Sequence, residues 1–184
     1  RESDASSKWV AITGTNGKTT ATSLTAHLLR AAGMDAVAVG NIGDVCLSAV
    51  AQNPSRVFVA ETSSYQLYST VDFAPDAAVL LNVTPDHLKW HGTFEADATD
   101  DVVRAKVREY KALSTADRGF PYIPVGTKAG YAGDMRAACG ADNAAFVDAD
   151  GSLVVAFEGV EHRLAKASEL LIKGSHNVGN ALAA

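Results

Sequence analysis

The stretch Thr13-Gly14-Thr15-Asn16-Gly17-Lys18-Thr19-Thr20 gathers the residue types from which a phosphate cradle is made. Gly14 and Gly17 permit the sharp turns that bring main-chain N–H groups close to phosphate oxygens. Lys18 sets a full positive charge against terminal phosphates, and the Thr19 hydroxyl can ligate Mg²⁺. A helix predicted to start beside Lys18 adds the positive end of its dipole. The fit to G-x-x-x-x-G-K-[ST] is imperfect, because the first glycine of that pattern falls on Ile12. Gly-Lys-Thr alone is common, so the reading rests on context. A buried strand before the loop and a helix after it separate a phosphate loop from a glycine-rich turn with a solvated lysine.

The elements that must hold this loop are legible as alternating periods. Lys8 to Thr13 reads as a short buried strand, and Thr19 to Ala32 carries Leu24, Leu28 and Leu29 at helical spacing before Gly33 stops it. Ala36 to Val39 is a second strand, closed by Gly40-Asn41-Ile42-Gly43. Asp44 is a candidate cap for a helix over Val45 to Ala51, which Asn53-Pro54 ends. Arg56 to Ala60 and Ala77 to Leu81 are two more strands, the first ending at Glu61 and the second at Asn82. Strand and helix alternating at this pace predict βαβ units and a parallel sheet. Farther on, Phe94 to Leu113 reads as a charged surface helix, and residues 117–143 give little signal. Ala145 to Val147 and Leu153 to Phe157 flank Asp148-Ala149-Asp150-Gly151 as a hairpin, with Val160 to Leu164 as a third strand. A last helix runs from Val178 to Ala184. The predicted class is α/β: a mostly parallel, P-loop-containing sheet flanked by helices, with a small antiparallel hairpin or sheet toward the carboxy-terminal part.

Composition narrows the function classes. The chain has 184 residues, with 16 Lys+Arg against 21 Asp+Glu for a net charge of −5, and 47% of it is apolar. That is enough for a real core and is not the composition of a disordered chain. No basic surplus exists to neutralise a nucleic-acid backbone. Two cysteines, Cys46 and Cys139, lie far apart without zinc-site spacing, as in a reducing cytoplasm. No apolar run is long enough for a bilayer, and the polar Arg1 to Lys8 start predicts no secretory leader.

Five segments in order carry a family resemblance: the loop itself, Gly40-Asn41-Ile42-Gly43, Glu61-Thr62-Ser63-Ser64-Tyr65-Gln66-Leu67, Asn82-Val83-Thr84-Pro85-Asp86-His87-Leu88, and His176-Asn177-Val178-Gly179-Asn180. Together they resemble the central ATPase domain of the Mur ligases, the bacterial cytoplasmic amide-bond formers of peptidoglycan synthesis. Gly-Asn-Ile-Gly and Ser-Ser-Tyr-Gln-Leu resemble its D-glutamate-adding branch more than the branch adding a diamino acid. Folylpolyglutamate synthase shares the architecture, but a different residue is expected there after the loop lysine. A P-loop module that binds nucleotide without ligase chemistry is the reading from another class. The resemblance implies that residues 1–184 are a fragment, lacking an amino-terminal uridine-nucleotide domain and a carboxy-terminal amino-acid domain. It further implies a monomeric parent acting on UDP-N-acetylmuramoyl-L-alanine and D-glutamate. The isolated fragment is expected to bind nucleotide weakly and to complete no reaction.

The implied chemistry is carboxylate activation by ATP through an acyl phosphate, a matter of positioning and charge neutralisation. Glu61, at the carboxyl end of a predicted parallel strand, suits Mg²⁺ between phosphate oxygens; the alternative is a strand-end acid capping the next turn. By resemblance, His87 joins Lys18 and Lys106 among the catalytic residues and is a metal ligand. Lys106 matches a lysine that CO₂ carbamylates to hold a second Mg²⁺, although Lys89 departs from the usual aspartate and the spacing from His87 is long. Asn41 is implied near the substrate carboxylate, with a plain turn asparagine as the alternative. Ser63 is either a substrate contact or a helix cap. Asn177 and Asn180, three apart on one helical face, are implied to approach the adenine, with an Asn177 N-cap as the alternative. His27 and His162 receive no role, and His91, in a Trp90-His91-Gly92 segment that also resembles the family, is read as structural.

Overall fold

A computed structural model describes residues 7–82, 123, 125–127 and 143–184 of the chain. It divides into two compact units, Arg1–Asn82 and Val83–Ala183. The first unit runs β1 (Lys8–Thr13), α1 (Lys18–Ala31), β2 (Ala36–Gly40), α2 (Cys46–Gln52), β3 (Val57–Glu61), α3 (Ser64–Tyr68) and β4 (Ala77–Leu80). Its strands form one parallel sheet in the order β2-β3-β1-β4. The chain winds to one side of β1 and then crosses to the other, so the loop after β1 lies at the topological switch point, where open α/β sheets place ligands.

Alternation along the strands sorts the core into two layers. Ile12 of β1 and Val59 of β3 pack with Ala21 and Ala26 of α1, joined by Val10, Leu29 and Val79. On the other face Phe58 and Ala60 of β3 pack with Val39 and with Ala49 of α2, joined by Trp9 and Val50. Trp9 and Phe58 are direct partners in the ladder, and their rings stack at 4.6 Å. The same period of two that turns Val59 toward α1 places Glu61, at the end of β3, on the α1 side as well.

The expected elements of this unit are present, with shifted ends. α1 begins one residue early, at Lys18, because Gly17 occupies the N-cap with φ of 85°. Asp44 does not cap α2: the N-cap is Val45, without a side-chain bond. The backbone of Asp44 is drawn back to the sheet instead, donating to the Ala38 carbonyl at 3.3 Å and accepting from Gly40 N at 3.1 Å.

The second unit holds β5 (Val125–Gly126), β6 (Ala144–Val147), β7 (Ser152–Phe157), β8 (Val160–Lys166), a 3₁₀ turn (Ala167–Glu169) and α4 (Ser175–Ala183). The hairpin forms as its Asp-Gly turn predicts, with Gly151 at φ of 82°, and the third strand extends to Lys166. Glu158 and Gly159, both at positive φ, make the two-residue turn into β8. The sheet is mixed, order β5-β6-β7-β8, because β5 pairs with β6 in parallel. Leu182 of α4 packs with Ala145, Val147 and Leu153. The helix expected over Phe94 to Leu113 lies outside the described residues.

Two predictions follow from these units. The hydroxyls of Thr22 and Thr25 are buried in α1 with no hydrogen-bond partner among the described residues. Leaving a buried hydroxyl unpaired is costly. Thr22→Val, nearly isosteric, is expected to stabilise the protein by about 1 kcal/mol, seen as a higher urea midpoint at unchanged slope. In the hairpin, Asp148 is held below the usual carboxylate range, chiefly by the Ala149 N–H and then by Arg163. Asp150 is lowered further, chiefly by the Lys166 ammonium and then by Ser152. Carboxyls depressed in the folded state stabilise fully above their unfolded value, 3.8, and this is lost as pH falls through the folded value. Amide protection in β7 and β8, taken relative to the intrinsic exchange rate at each pH, should therefore fall below about pH 4, and Asp150→Asn should flatten that dependence.

Candidate active site

The loop from Gly14 to Gly17 is built as an extension of the sheet. Leu81 N donates to Thr13 O at 3.0 Å and Thr15 N to Asn82 O at 3.0 Å, continuing the β1–β4 ladder past its strands. Gly14 has φ of +143°, and a Cβ there would sit 3.1 Å from both the N and the O of Asn82. Gly17 then turns the chain into α1 through a left-handed conformation that a glycine adopts freely. No side chain caps α1, so its first-turn N–H groups keep the helix's positive end for a ligand.

Lys18 curls over the loop. Its Nζ donates to Gly14 O at 2.8 Å and to Thr15 O at 3.0 Å, which places the ammonium beside the first turn of α1. Thr19, on the next position, donates its hydroxyl to Glu61 Oε2 at 3.0 Å. The other oxygen, Oε1, accepts from Asn41 Nδ2 at 3.0 Å. Asn41 also donates its backbone N–H to Glu61 O at 3.0 Å. Three segments distant in sequence, the loop, the end of β2 and the end of β3, thus converge on one carboxylate.

Glu61 is 1% exposed, and its described partners are neutral donors with no cation. A buried carboxylate with only neutral donors is the environment that a cation relieves. The donor set fits Mg²⁺: one carboxylate and one hydroxyl of hard oxygen, leaving further positions for phosphate oxygens and water. No cluster of three or more His, Cys, Asp or Glu occurs among the described residues. His87 and Lys106, expected at a second metal, lie outside the described residues.

A cavity of about 360 Å³ opens beside Glu61 in the same unit, walled by Trp9, Val50 and Phe73 and edged by the polar Thr62 and Gln66. Cys46 also lines it, and burial pushes its thiol above the ordinary value. It therefore stays protonated at neutral pH.

Other expected residues are placed as follows. The Ser63 hydroxyl accepts from Gln66 N at 3.3 Å while Ser63 N donates to Gln66 Oε1 at 2.8 Å, so Ser63 closes a capping box on α3. Thr15 and Asn16 each donate a backbone N–H to Asn82, and Thr20 stands in the first turn of α1. Asn177 and Asn180 belong to the second unit. Asn177 lies inside α4 rather than at its N-cap, donating to Lys173 O at 2.8 Å, and Asn180 donates to Asn177 Oδ1 at 3.1 Å. Sequence reasoning gave Asn82 and Gln66 no role, although Ser63-x-x-Gln66 carries the capping-box signature and Asn82 directly follows a strand.

A parallel sheet with a glycine-containing loop at its switch point and a buried carboxylate beside it defines a P-loop-type α/β domain. The family model described as the Mur ligase middle domain matches residues 12–184, and the chain belongs to that family. It is 38% identical over 183 residues to the UDP-N-acetylmuramoylalanine–D-glutamate ligase of Geotalea uraniireducens, covering 95% of this chain and 39% of that protein. To the ligase of the same name from Nocardia farcinica it is 51% identical over 92 residues, 50% of this chain and 19% of that one. The chain thus spans well under half the length of these curated relatives. In fold it is similar to MurF from Acinetobacter baumannii (TM-score 0.54, 19% identity, 97% of this chain and 42% of that one). A UDP-N-acetylmuramoyl-L-alanyl-D-glutamate–2,6-diaminopimelate ligase gives a TM-score of 0.52 at 21% identity, over 96% of this chain and 42% of that one. Among the described residues no helix is long and apolar enough to cross a membrane.

One constraint in this site is open to direct test. A Cβ on Gly40 would lie 2.5 Å from Glu61 O, and its φ of +101° disfavours any side chain. Gly40→Ala is expected to destabilise the protein by about 2 kcal/mol or more, measured by chemical denaturation.

Proposed function

We propose that this chain is the ATP-binding portion of a MurD-type ligase that joins D-glutamate to UDP-N-acetylmuramoyl-L-alanine. The observation that carries the reading is the Thr19–Glu61 hydrogen bond at the start of α1, next to the loop over which the Lys18 ammonium is folded. The names of relatives matching across 95% of the chain supply the substrates.

In this reading the triphosphate lies against the first turn of α1, where the N–H groups of Lys18, Thr19 and Thr20 and the helix dipole meet its terminal phosphates. Lys18 exchanges the carbonyls of Gly14 and Thr15 for phosphate oxygens. An ammonium held by two neutral carbonyls gains a charge-assisted partner by moving only its tip. Thr19 and Glu61 would hold Mg²⁺, which supplies charge neutralisation at the phosphates. The substrate carboxylate attacks the γ-phosphorus, the bond to the ADP oxygen breaks, and an acyl phosphate forms. The amine of D-glutamate then attacks the acyl carbon, phosphate leaves, and the amine loses a proton. Such a transfer asks the protein for position and charge rather than a nucleophile, which is what a lysine, a hydroxyl and a carboxylate provide.

Asn41 acts here through Glu61, fixing the carboxylate so that Oε2 faces Thr19, with the substrate carboxylate nearby. Ser63 serves α3, with any substrate contact coming from its end of the cavity. His87 and a carbamylated Lys106 would hold a second Mg²⁺, and the resemblance implies an adenine contact for Asn177 and Asn180. The setting in this reading is the bacterial cytoplasm.

The test is calorimetric titration of the chain with ATP in the presence and absence of Mg²⁺. Binding should require Mg²⁺ and should weaken at least tenfold, about 1.4 kcal/mol, in Lys18→Ala, with the melting temperature unchanged. In the longer ligase that carries this chain, phosphate release should require both UDP-N-acetylmuramoyl-L-alanine and D-glutamate. Metal-independent binding, or full affinity without the lysine, refutes the assignment.

A further inference from the structure

We propose that Asn82 is a positioning residue that locks the phosphate loop into its binding shape before any nucleotide arrives, an inference that rests on the loop being the ATP site. Asn82 follows Leu81 at the end of the β4 ladder, and there its carboxamide takes over from the backbone. Its Oδ1 accepts from Asn16 N at 2.8 Å and its Nδ2 donates to Asn16 O at 2.8 Å. The side chain thereby stands in for a peptide unit, pairing with both main-chain groups of Asn16 as a neighbouring strand would. Its own carbonyl takes Thr15 N at 3.0 Å. Three hydrogen bonds from one residue fix two consecutive loop residues.

The consequence is a division of labour among the loop amides. Those of Thr15 and Asn16 are committed to Asn82 and turned away from a phosphate. The donors left for an anion are the first-turn groups of α1, which no side chain caps. The lock also reaches Lys18 indirectly. The carbonyls that hold its ammonium belong to Gly14 and Thr15, and Thr15 is one of the residues Asn82 fixes. The approach of Gly14 to Asn82, 3.1 Å from a would-be Cβ, closes the same contact from the other side. A loop pinned in this way gives up little conformational freedom when it binds, which is where preorganisation raises affinity. Asparagine is specified by the pair of bonds. An aspartate of the same size could accept from Asn16 N but would set a carboxylate against Asn16 O.

Two variants and two readouts separate locking from packing. Asn82→Asp preserves size and shape and removes the donor; Asn82→Ala removes both bonds. Both should bind Mg²⁺-ATP at least tenfold more weakly than the parent chain in calorimetry. In the absence of nucleotide the Asn16 amide should be protected from hydrogen exchange in the parent. It should exchange at least tenfold faster in Asn82→Ala, with the amides in the middle of α1 unchanged. Wild-type affinity in Asn82→Asp overturns the proposal, since a packing role would survive that change. An unprotected Asn16 amide in the parent also overturns it. Should Asn82→Ala not fold, Asn82→Asp carries the decision alone. Failure of the parent to bind Mg²⁺-ATP would instead count against the functional reading, while the exchange measurement still decides whether Asn82 holds the loop.

Discussion

A carboxylate that is almost wholly removed from water must be met by donors, and that requirement at Glu61 organises the first unit. Thr19 and Asn41 answer it from opposite sides, so the start of α1 and the end of β2 are both tied to the end of β3. The ladder makes this possible: Ile12, Glu61 and Gly40 are partners across three parallel strands. Residues at the same height on β1, β3 and β2 therefore open into the loops that form the site. Gly40 is part of the same constraint, because any Cβ at that height would run into the Glu61 carbonyl. The β1–β3 register sets where the carboxylate sits, and shifting it by one residue would turn Glu61 to the α2 face, away from Thr19.

Much of this was readable from residue order. The strands of the first unit and α1 announce themselves as short apolar runs and a helical repeat punctuated by glycine, and each is present with ends moved by a residue or so. The Asp-Gly hairpin was equally plain, because its turn chemistry is local. What escaped is what depends on partners. The five-residue α3 is too short for a periodic signal, although its capping box was written in Ser63 and Gln66. The two-residue β5 exists only through its pairing with β6. Asp44 looked like a cap by type, but the sheet drew its backbone away from the helix.

The site divides along the same line. The expectation for the loop's glycines, lysine and threonine is carried by their spacing, since a turn, a charge and a hydroxyl in succession have few other uses. Glu61 could be placed at a strand end, yet its two donors lie 42 and 20 residues away in sequence, and no local pattern joins them. Asn41 is a case in point: resemblance implies a neighbouring substrate carboxylate, and the fold adds a bond to Glu61 that no local pattern announces. Asn82 was visible only as a strand terminator, because a side chain imitating a peptide group has no signature until the partner backbone is known.

Charge bookkeeping at the loop explains why a dication belongs in the proposed chemistry. The chain is acidic overall, at −5. Among the described groups bonded together around the loop, Lys18 and Glu61 cancel, while Thr19, Asn41 and Asn82 are neutral. Helix α1 contributes about half a positive charge at its start, far less than a triphosphate carries. A polyanion entering this site alone would meet Glu61 as a repulsive neighbour in a region of low dielectric, where repulsion is poorly screened. Were Glu61 to hold Mg²⁺ there, the cation would supply the neutralising charge and the carboxylate would no longer repel the nucleotide. In the proposed chemistry the residue that opposes bare nucleotide would be the one that favours the metal complex, so that reading ties selectivity for Mg²⁺-ATP over ATP to the burial of a single side chain.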